Sequence, residues 1–194
     1  MVWKQYIASF LVVVGVAACS SSTGSDAPEG AQVAASTKSR LALETLTGAK
    51  VQELALANLA FGADLYTQLK GESANLFFSP HSISTALAMT YAGARGTTYT
   101  QMKQALHFEL ADADLHPAFN ALDQELASRG KGASGKDGKP FRLNVVNQAW
   151  GQKDFVFRQE YLDVLAEHYG AGLYLLDFVT QAERSRQTIN GWVA

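Results

Sequence analysis

The sequence predicts an α+β domain in which helices cover part of a β-sheet. Three observations predict it. From about residue 49 onwards, helical and strand-like periodicities alternate without a strict strand–helix–strand rhythm. One helical stretch, Ser82 to Ala94, carries no charged residue and so belongs at the centre of a fold. The composition, 47% hydrophobic and 18% charged over 194 residues, supplies a core for one domain and too few charges for general disorder.

The elements follow in order. Between Ala49 and Lys70, Val51, Leu54, Leu56, Leu59, Phe61, Leu65, Tyr66 and Leu69 recur at spacings of mostly three and four, which predicts a helix with Gly71 as its stop. Asn75–Ser79 is a short apolar strand candidate. Ser79 suits an N-cap and Pro80 a first helical position, so a second helix runs to about Ala92. Its length, hydroxyls and leading proline speak against a membrane span. Gly93-Ala94-Arg95-Gly96 is a break, and Thr98 with Gln101 has capping-box spacing for a short helix to Leu106. Leu115–Ser128 is amphipathic, with Phe119, Leu122 and Leu126 on one face. A loop over 130–139 leads into a long strand, Phe141–Trp150. A helix over Arg158–Tyr169 stops at Gly170, Leu173–Phe178 is a strand, and a last helix starts near Gln181. No internal repeat is visible.

The first 48 residues differ in kind. Lys4, the charge-free run Ile7–Ala18 and the small residues Val16-Ala17-Ala18 form an export signal over 1–18, too short to span a membrane comfortably. Val-Ala-Ala-Cys resembles the bacterial lipobox, in which the cysteine, here Cys19, is lipidated and becomes the first residue. A plain secretory signal with an incidental thiol is the alternative. Residues 19–48 read as a flexible tether, because the Ser, Thr, Gly and Ala of 20–39 bury too little surface to offset their ordering. One acyl chain holds a membrane weakly, so a stable anchor implies several. The expected location is outside the cytoplasm, at the cell envelope or beyond.

Little in the chain announces bond chemistry. A net charge of −2 gives no basic surface for nucleic acid. A single cysteine excludes a disulfide framework. The loop Gly130-Lys131-Gly132-Ala133-Ser134-Gly135-Lys136-Asp137 nearly matches a phosphate-binding motif, but a helix precedes it and a strand follows, the reverse of what the motif requires. His81, His107, His116 and His168 have no metal-binding spacing, and no G-x-S-x-G elbow exists. No catalytic residue, metal, cofactor or small-molecule substrate is expected. Ser79, Ser82 and Asn190 stand out as small polar residues in apolar stretches. Either Ser79 caps a helix and the others are solvated, or the three form a buried polar cluster joining the central helix to the last one.

The segment Asn75-Leu-Phe-Phe-Ser-Pro-His-Ser-Ile-Ser-Thr-Ala-Leu-Ala-Met89 resembles the short strand and central helix of serpins, the serine-protease inhibitors. Gly93-Ala94, Gly96-Thr97, Gln101-Met102, Asn147-Gln148-Ala149-Trp150, Tyr169-Gly170-Ala171, Asp177-Phe178 and Ile189-Asn190-Gly191-Trp192-Val193 continue the resemblance in order. It covers about 51–194 and implies helices packed on a large mixed sheet, of which this chain holds the N-terminal helices and first strands. It places Ser79, Ser82 and Asn190 in the shutter, whose hydrogen bonds keep the main sheet closed. It implies suicide inhibition of a serine protease, or a cysteine protease, by a reactive loop that is cleaved and inserted as a strand. The chain stops inside the last helix, so that loop and its scissile bond lie outside it. The 194 residues alone are therefore expected to be inactive. The family also includes non-inhibitory members, so a binding or structural envelope protein is the alternative; small residues in the loop's hinge would favour inhibition, and bulky or proline residues the alternative.

Overall fold

The computed structural model describes residues 27–42, 48–71, 75–129, 132, 134–139 and 145–193, together with the backbone of 11–15. Its elements are β1 Leu11–Gly15, β2 Gln32–Ala34, α1 Gly48–Leu69, α2 Pro80–Gly93, α3 Gly96–Ala105, α4 Asp112–Ser128, β3 Val146–Gln152, α5 Gln159–Tyr169, β4 Leu173–Leu176 and α6 Ala182–Val193.

The sheet is mixed, with strand order β1-β3-β4-β2. β3 and β4 run parallel, Ala149 opposite Leu173, and α5 makes the crossover between them. β1 and β2 flank them, each antiparallel to its neighbour. All four residues of β4 are buried, which requires cover on both faces of the pair. Strand alternation supplies it. Ala149, Leu173 and Leu175 point to α2 and α5, where they meet Met89, Tyr161, Leu162 and Leu165. Trp150, Tyr174 and Leu176 point the other way and pack on Ile189 and Trp192 of α6. A third cluster joins α1 to α4 through Leu54, Ala88, Tyr91, Phe108, Leu115 and Phe119. α2 packs on α1, α3, α5, β1 and β3, the central place its uncharged sequence predicts. No helix among the described residues is long and apolar enough to cross a membrane.

Several boundaries differ from expectation. Residues 75–79 form no strand among the described residues, and Phe77 is 94% exposed. A strand needs a neighbour, and here the segment only leads into the cap of α2. β3 starts at Val146 and continues through Gln152; the expected strand residues 141–144 lie outside the described ones. β4 ends at Leu176 because Asp177 turns the chain, its Oδ1 accepting from Thr180 N at 2.8 Å. α3 starts at Gly96 with Arg95 at its N-cap and no side-chain cap, so Thr98 lies inside the helix and the capping box is not made. α4 begins three residues early, with Asp112 and Asp114 in its first turn where the helix dipole favours them.

The largest difference is in the expected tether. Residues 27–42 lie against the body. Val33 pairs with Tyr174 in β4, Ser36 Oγ donates to Asp163 at 2.6 Å, and Leu41 N donates to Glu167 O at 2.9 Å. Lys38 meets Asp163 and Glu167 at 3.2 and 3.0 Å, and Arg40 Nε donates to Asn120 at 2.8 Å. The docking is polar and backbone-mediated, so an argument from apolar content missed it. Beneath Arg40, Gly170 ends α5 in the left-handed conformation, φ 61°, and a Cβ there would sit 2.8 Å from Arg40 Cδ. Gly170→Ala should therefore destabilise the fold by roughly 1–2 kcal/mol, from backbone strain and a displaced Arg40. Urea unfolding measures this, and an unchanged midpoint would refute it.

Candidate functional site

The start of α2 is the place where small polar residues enter the core. Ser79 is extended, φ −108° and ψ 106°, and its Oγ accepts from Ser82 N at 3.2 Å. Pro80 follows at the first turn, where no N–H is needed. Ser82 is 5% exposed and Ser84 fully buried. Thr85 Oγ1 donates back to His81 O at 2.8 Å. α1 crosses close by: a Cβ at Gly62 would come 2.7 Å from Pro80 Cγ, so only glycine admits this approach. Asn58 of α1 reaches His81 Nδ1 at 3.5 Å. Burial pushes the His81 imidazole below its ordinary value, against a weak opposing pull from Asp123. Asn58 Oδ1 and Ser84 Oγ are buried without a hydrogen-bond partner.

The structure thus brings Ser79 and Ser82 together and leaves Asn190 apart. Asn190 is exposed on α6, and its neighbour Ile189 is the residue that enters the core. No hydrogen bond among the described residues joins Asn190 to either serine, so the three-membered buried cluster is not assembled. The reason is helical phase: burying Ile189 and Ser185, four residues apart, turns the intervening face to the sheet and Asn190 away. Cys19 lies outside the described residues. The glycine-rich loop sits between α4 and β3 as expected, and Gly135 N closes a turn on Lys139 O at 2.7 Å.

Sequence reasoning missed a second polar site. Asp112 at the start of α4 accepts from the Tyr91 and Tyr99 hydroxyls, both at 2.9 Å, linking α2, α3 and α4. One turn on, buried His116 shares a 2.7 Å hydrogen bond with the Tyr169 hydroxyl of α5, and its ring stacks near His168 at 6.2 Å. Burial, then the neighbouring His168, lowers the His116 imidazole to about 4, while Asp112 pulls the other way. Burial likewise raises the Tyr91 and Tyr169 hydroxyls, so both stay neutral. The spacing Asp112-x-x-x-His116 was the available signal, because i and i+4 share a helix face. Among the described residues, no three His, Cys, Asp or Glu side chains are grouped to hold a metal.

Both sites brace helices. Comparison with known proteins agrees with that architecture. The structure of emu ovalbumin (Dromaius novaehollandiae) matches at a TM-score of 0.53 with 24% identity, covering 75% of this chain and 38% of that one. The fold is that of a partial serpin. The family model described as Serpin (serine protease inhibitor) matches residues 56–194, and the chain belongs to the serpin family. It is 39% identical over 145 residues to a leukocyte elastase inhibitor of Bos taurus, covering 74% of this chain and 36% of the relative. A leukocyte elastase inhibitor of Xenopus tropicalis is 38% identical over 146 residues, 74% and 37% of the two chains. A serpin-like protein of Thermococcus kodakarensis is 40% identical over 134 residues, 69% and 30%. The chain therefore spans between 30% and 37% of the length of these relatives.

Two outcomes test the sites. Ser79→Ala should cost about 1 kcal/mol, the ordinary worth of an N-cap, and a urea midpoint equal to wild type would refute the capping role. His116 is held neutral, so between pH 6.5 and about 4 the unfolded chain binds a proton that the folded state refuses. Stability should fall through that window by up to about 3 kcal/mol. Unfolding at pH 7 and pH 4.5 checks it: His116→Gln should flatten the dependence, and an equally steep fall in the variant would overturn the assignment.

Proposed function

We propose that this chain is the N-terminal part of a serpin that inhibits a serine protease, or a cysteine protease. The family match over 56–194 to proteins named as elastase inhibitors carries the reading. In the proposed mechanism the protease attacks an exposed reactive loop, and the cleaved loop adds a strand to the main sheet, carrying the acylated protease with it. Serpin loop insertion is an established instance of strand addition and of released strain, taken over here from the family. β3 and β4 would be strands of the receiving sheet, and α6 would lie across it through Ile189 and Trp192. Ser79 and Ser82 would hold the start of α2 in register as the sheet opens, with Asn190 acting from α6.

The reading extends to location. Residues 1–18 would serve as an export signal removed before Cys19, and acylated Cys19 would anchor the protein in the envelope membrane. Removal would take β1 with it and free the edge of β3 for another strand. The polar docking of 27–42 would leave only the residues between Cys19 and Ala27 to link an anchored Cys19 to the described part of the chain.

Incubation with a panel of serine and papain-like cysteine proteases tests the activity. The longer protein containing these residues should form an SDS-resistant complex, and residues 1–194 alone should form none. A covalent complex with the 194 residues, or none from the longer protein with any protease, would overturn the proposal. Cys19→Ala should move the protein from the membrane to the soluble fraction; unchanged fractionation would refute the anchor.

A further inference from the structure

Two turns project from one end of the parallel β3–β4 pair, and both are apolar at their tips. Phe155 is 51% exposed, Val156 98% and Val179 78%. The turns are braced against each other. Lys153 N donates to Leu176 O at 2.9 Å, Phe178 N donates to Gln152 Oε1 at 2.8 Å, and Lys153 Nζ meets Asp177 at 3.1 Å. Phe157, just beyond, packs into the α5 side of the core. Three apolar side chains are thus exposed on two turns that are bonded to each other, a surface that could take an apolar partner.

The strand register says which end this is. β2 runs antiparallel to β4, with Gln32 opposite Leu175 and Ala34 opposite Leu173. The chain leading into β2 therefore arrives beside the C-terminal end of β4, where the two turns project. Gly30 confirms the placement, since a Cβ there would lie 3.8 Å from Arg184 Nη2 near the start of α6. From Ala27 back to Cys19 is eight residues of chain, which reach at most about 29 Å when fully extended. Whatever holds Cys19 is kept within that distance of Ala27, which packs on the cluster of Trp150, Tyr174 and Leu176 beneath the C-terminal end of β4. In the unprocessed chain Gly15 pairs with Val146 at the opposite end, but cleavage before Cys19 would remove that restraint.

We infer that this end faces the membrane, with Phe155, Val156 and Val179 immersed in the interfacial layer of the bilayer that holds Cys19. The inference rests on the lipid anchor of the proposed function. A bilayer fits the surface better than a charged partner does. Lys153 pairs with Asp177 and Arg158 with Glu160, so the turns present no block of like charge to attract a polyelectrolyte. Short apolar tips suit a layer that takes side chains to a depth of about 5–10 Å. The contact fixes orientation: the opposite end of the sheet, where β2 gives way to Thr37, points away from the lipid.

Acylation would consume Cys19, the one cysteine of these 194 residues, so with any later cysteine of the longer protein replaced by serine, Val156→Cys and Thr37→Cys each place a single free thiol on the lipidated protein. Each variant is spin-labelled in vesicles of phosphatidylethanolamine and phosphatidylglycerol. Its accessibility to oxygen is then compared with that to a water-soluble nickel chelate. The label at 156 should favour oxygen several-fold over the label at 37, at high and low salt alike. Flotation of the same samples reads the anchor separately. Protein that floats while both labels remain equally nickel-accessible would overturn the orientation and leave the anchor standing. Concentration-dependent dipolar broadening at 156 would overturn it in favour of a contact between copies. Protein that fails to float and keeps a reactive Cys19 would refute the anchor, and the orientation with it.

Discussion

The structure depends on the two-sided burial of β3 and β4. Parallel strands cannot be joined by a tight turn, so α5 must carry the chain back, and that crossover covers one face as it does so. The other face needs a second cover, which α6 supplies through Ile189 against Trp150 and Tyr174. Trp150 has no exposed surface, and it packs edge-on against both Tyr174 and Trp192, at 5.1 and 5.8 Å between ring centres. Without α6 that aromatic face would meet water. Without α2 and α5 the opposite face would do the same. The order of elements along the chain follows from this requirement.

Burying α2 on every side creates a difficulty that its sequence answers with hydroxyls. A helix with no polar face has no route to solvent for a side-chain dipole. Thr85 turns its hydroxyl onto the preceding turn of its own helix, and Ser79 spends its own on an N–H of the first turn. Ser84 does neither and is left without a partner. Such a group favours any rearrangement that gives it one. This is the physical sense in which the start of α2 suits a fold whose sheet is proposed to open and close. The Asp112 and His116 braces act differently. They tie α2, α3, α4 and α5 together through the hydroxyls of Tyr91, Tyr99 and Tyr169.

Much of this was legible in the residues. The apolar period of α1, the serine–proline start and uncharged body of α2, and the glycine ending α5 are local signals, and each element formed where they placed it. What was not legible depends on neighbours. Residues 75–79 have strand-like composition and no partner among the described residues. Gln32–Ala34 have little apolar content and gain a partner in β4. For Asn190 the sequence left solvation and burial both open, and helical phase sends it outward. The capping box at Thr98 had the right spacing on a helix that begins two residues earlier. The His116 brace was missed because its partner is 53 residues away on another helix.

The edges of the sheet carry the remaining argument. Backbone hydrogen bonds at a sheet edge do not depend on side-chain identity, so an edge accepts whatever strand lies near it. Here both flanking strands come from the first 34 residues, β1 on β3 and β2 on β4. The two are not equivalent. β2 is followed by Ser36, Lys38 and Arg40, whose polar contacts with α4 and α5 hold it in place independently of the strand pairing. β1 belongs to a segment whose sequence has the form of a removable leader. An edge closed by such a strand is protected from other chains while that strand is present, and it would open if the segment were removed. For a sheet proposed to gain a strand during inhibition, the permanent neighbour therefore sits at β4 and the exchangeable one at β3. That asymmetry would separate the side of the fold joined to the proposed tether from the side proposed to change.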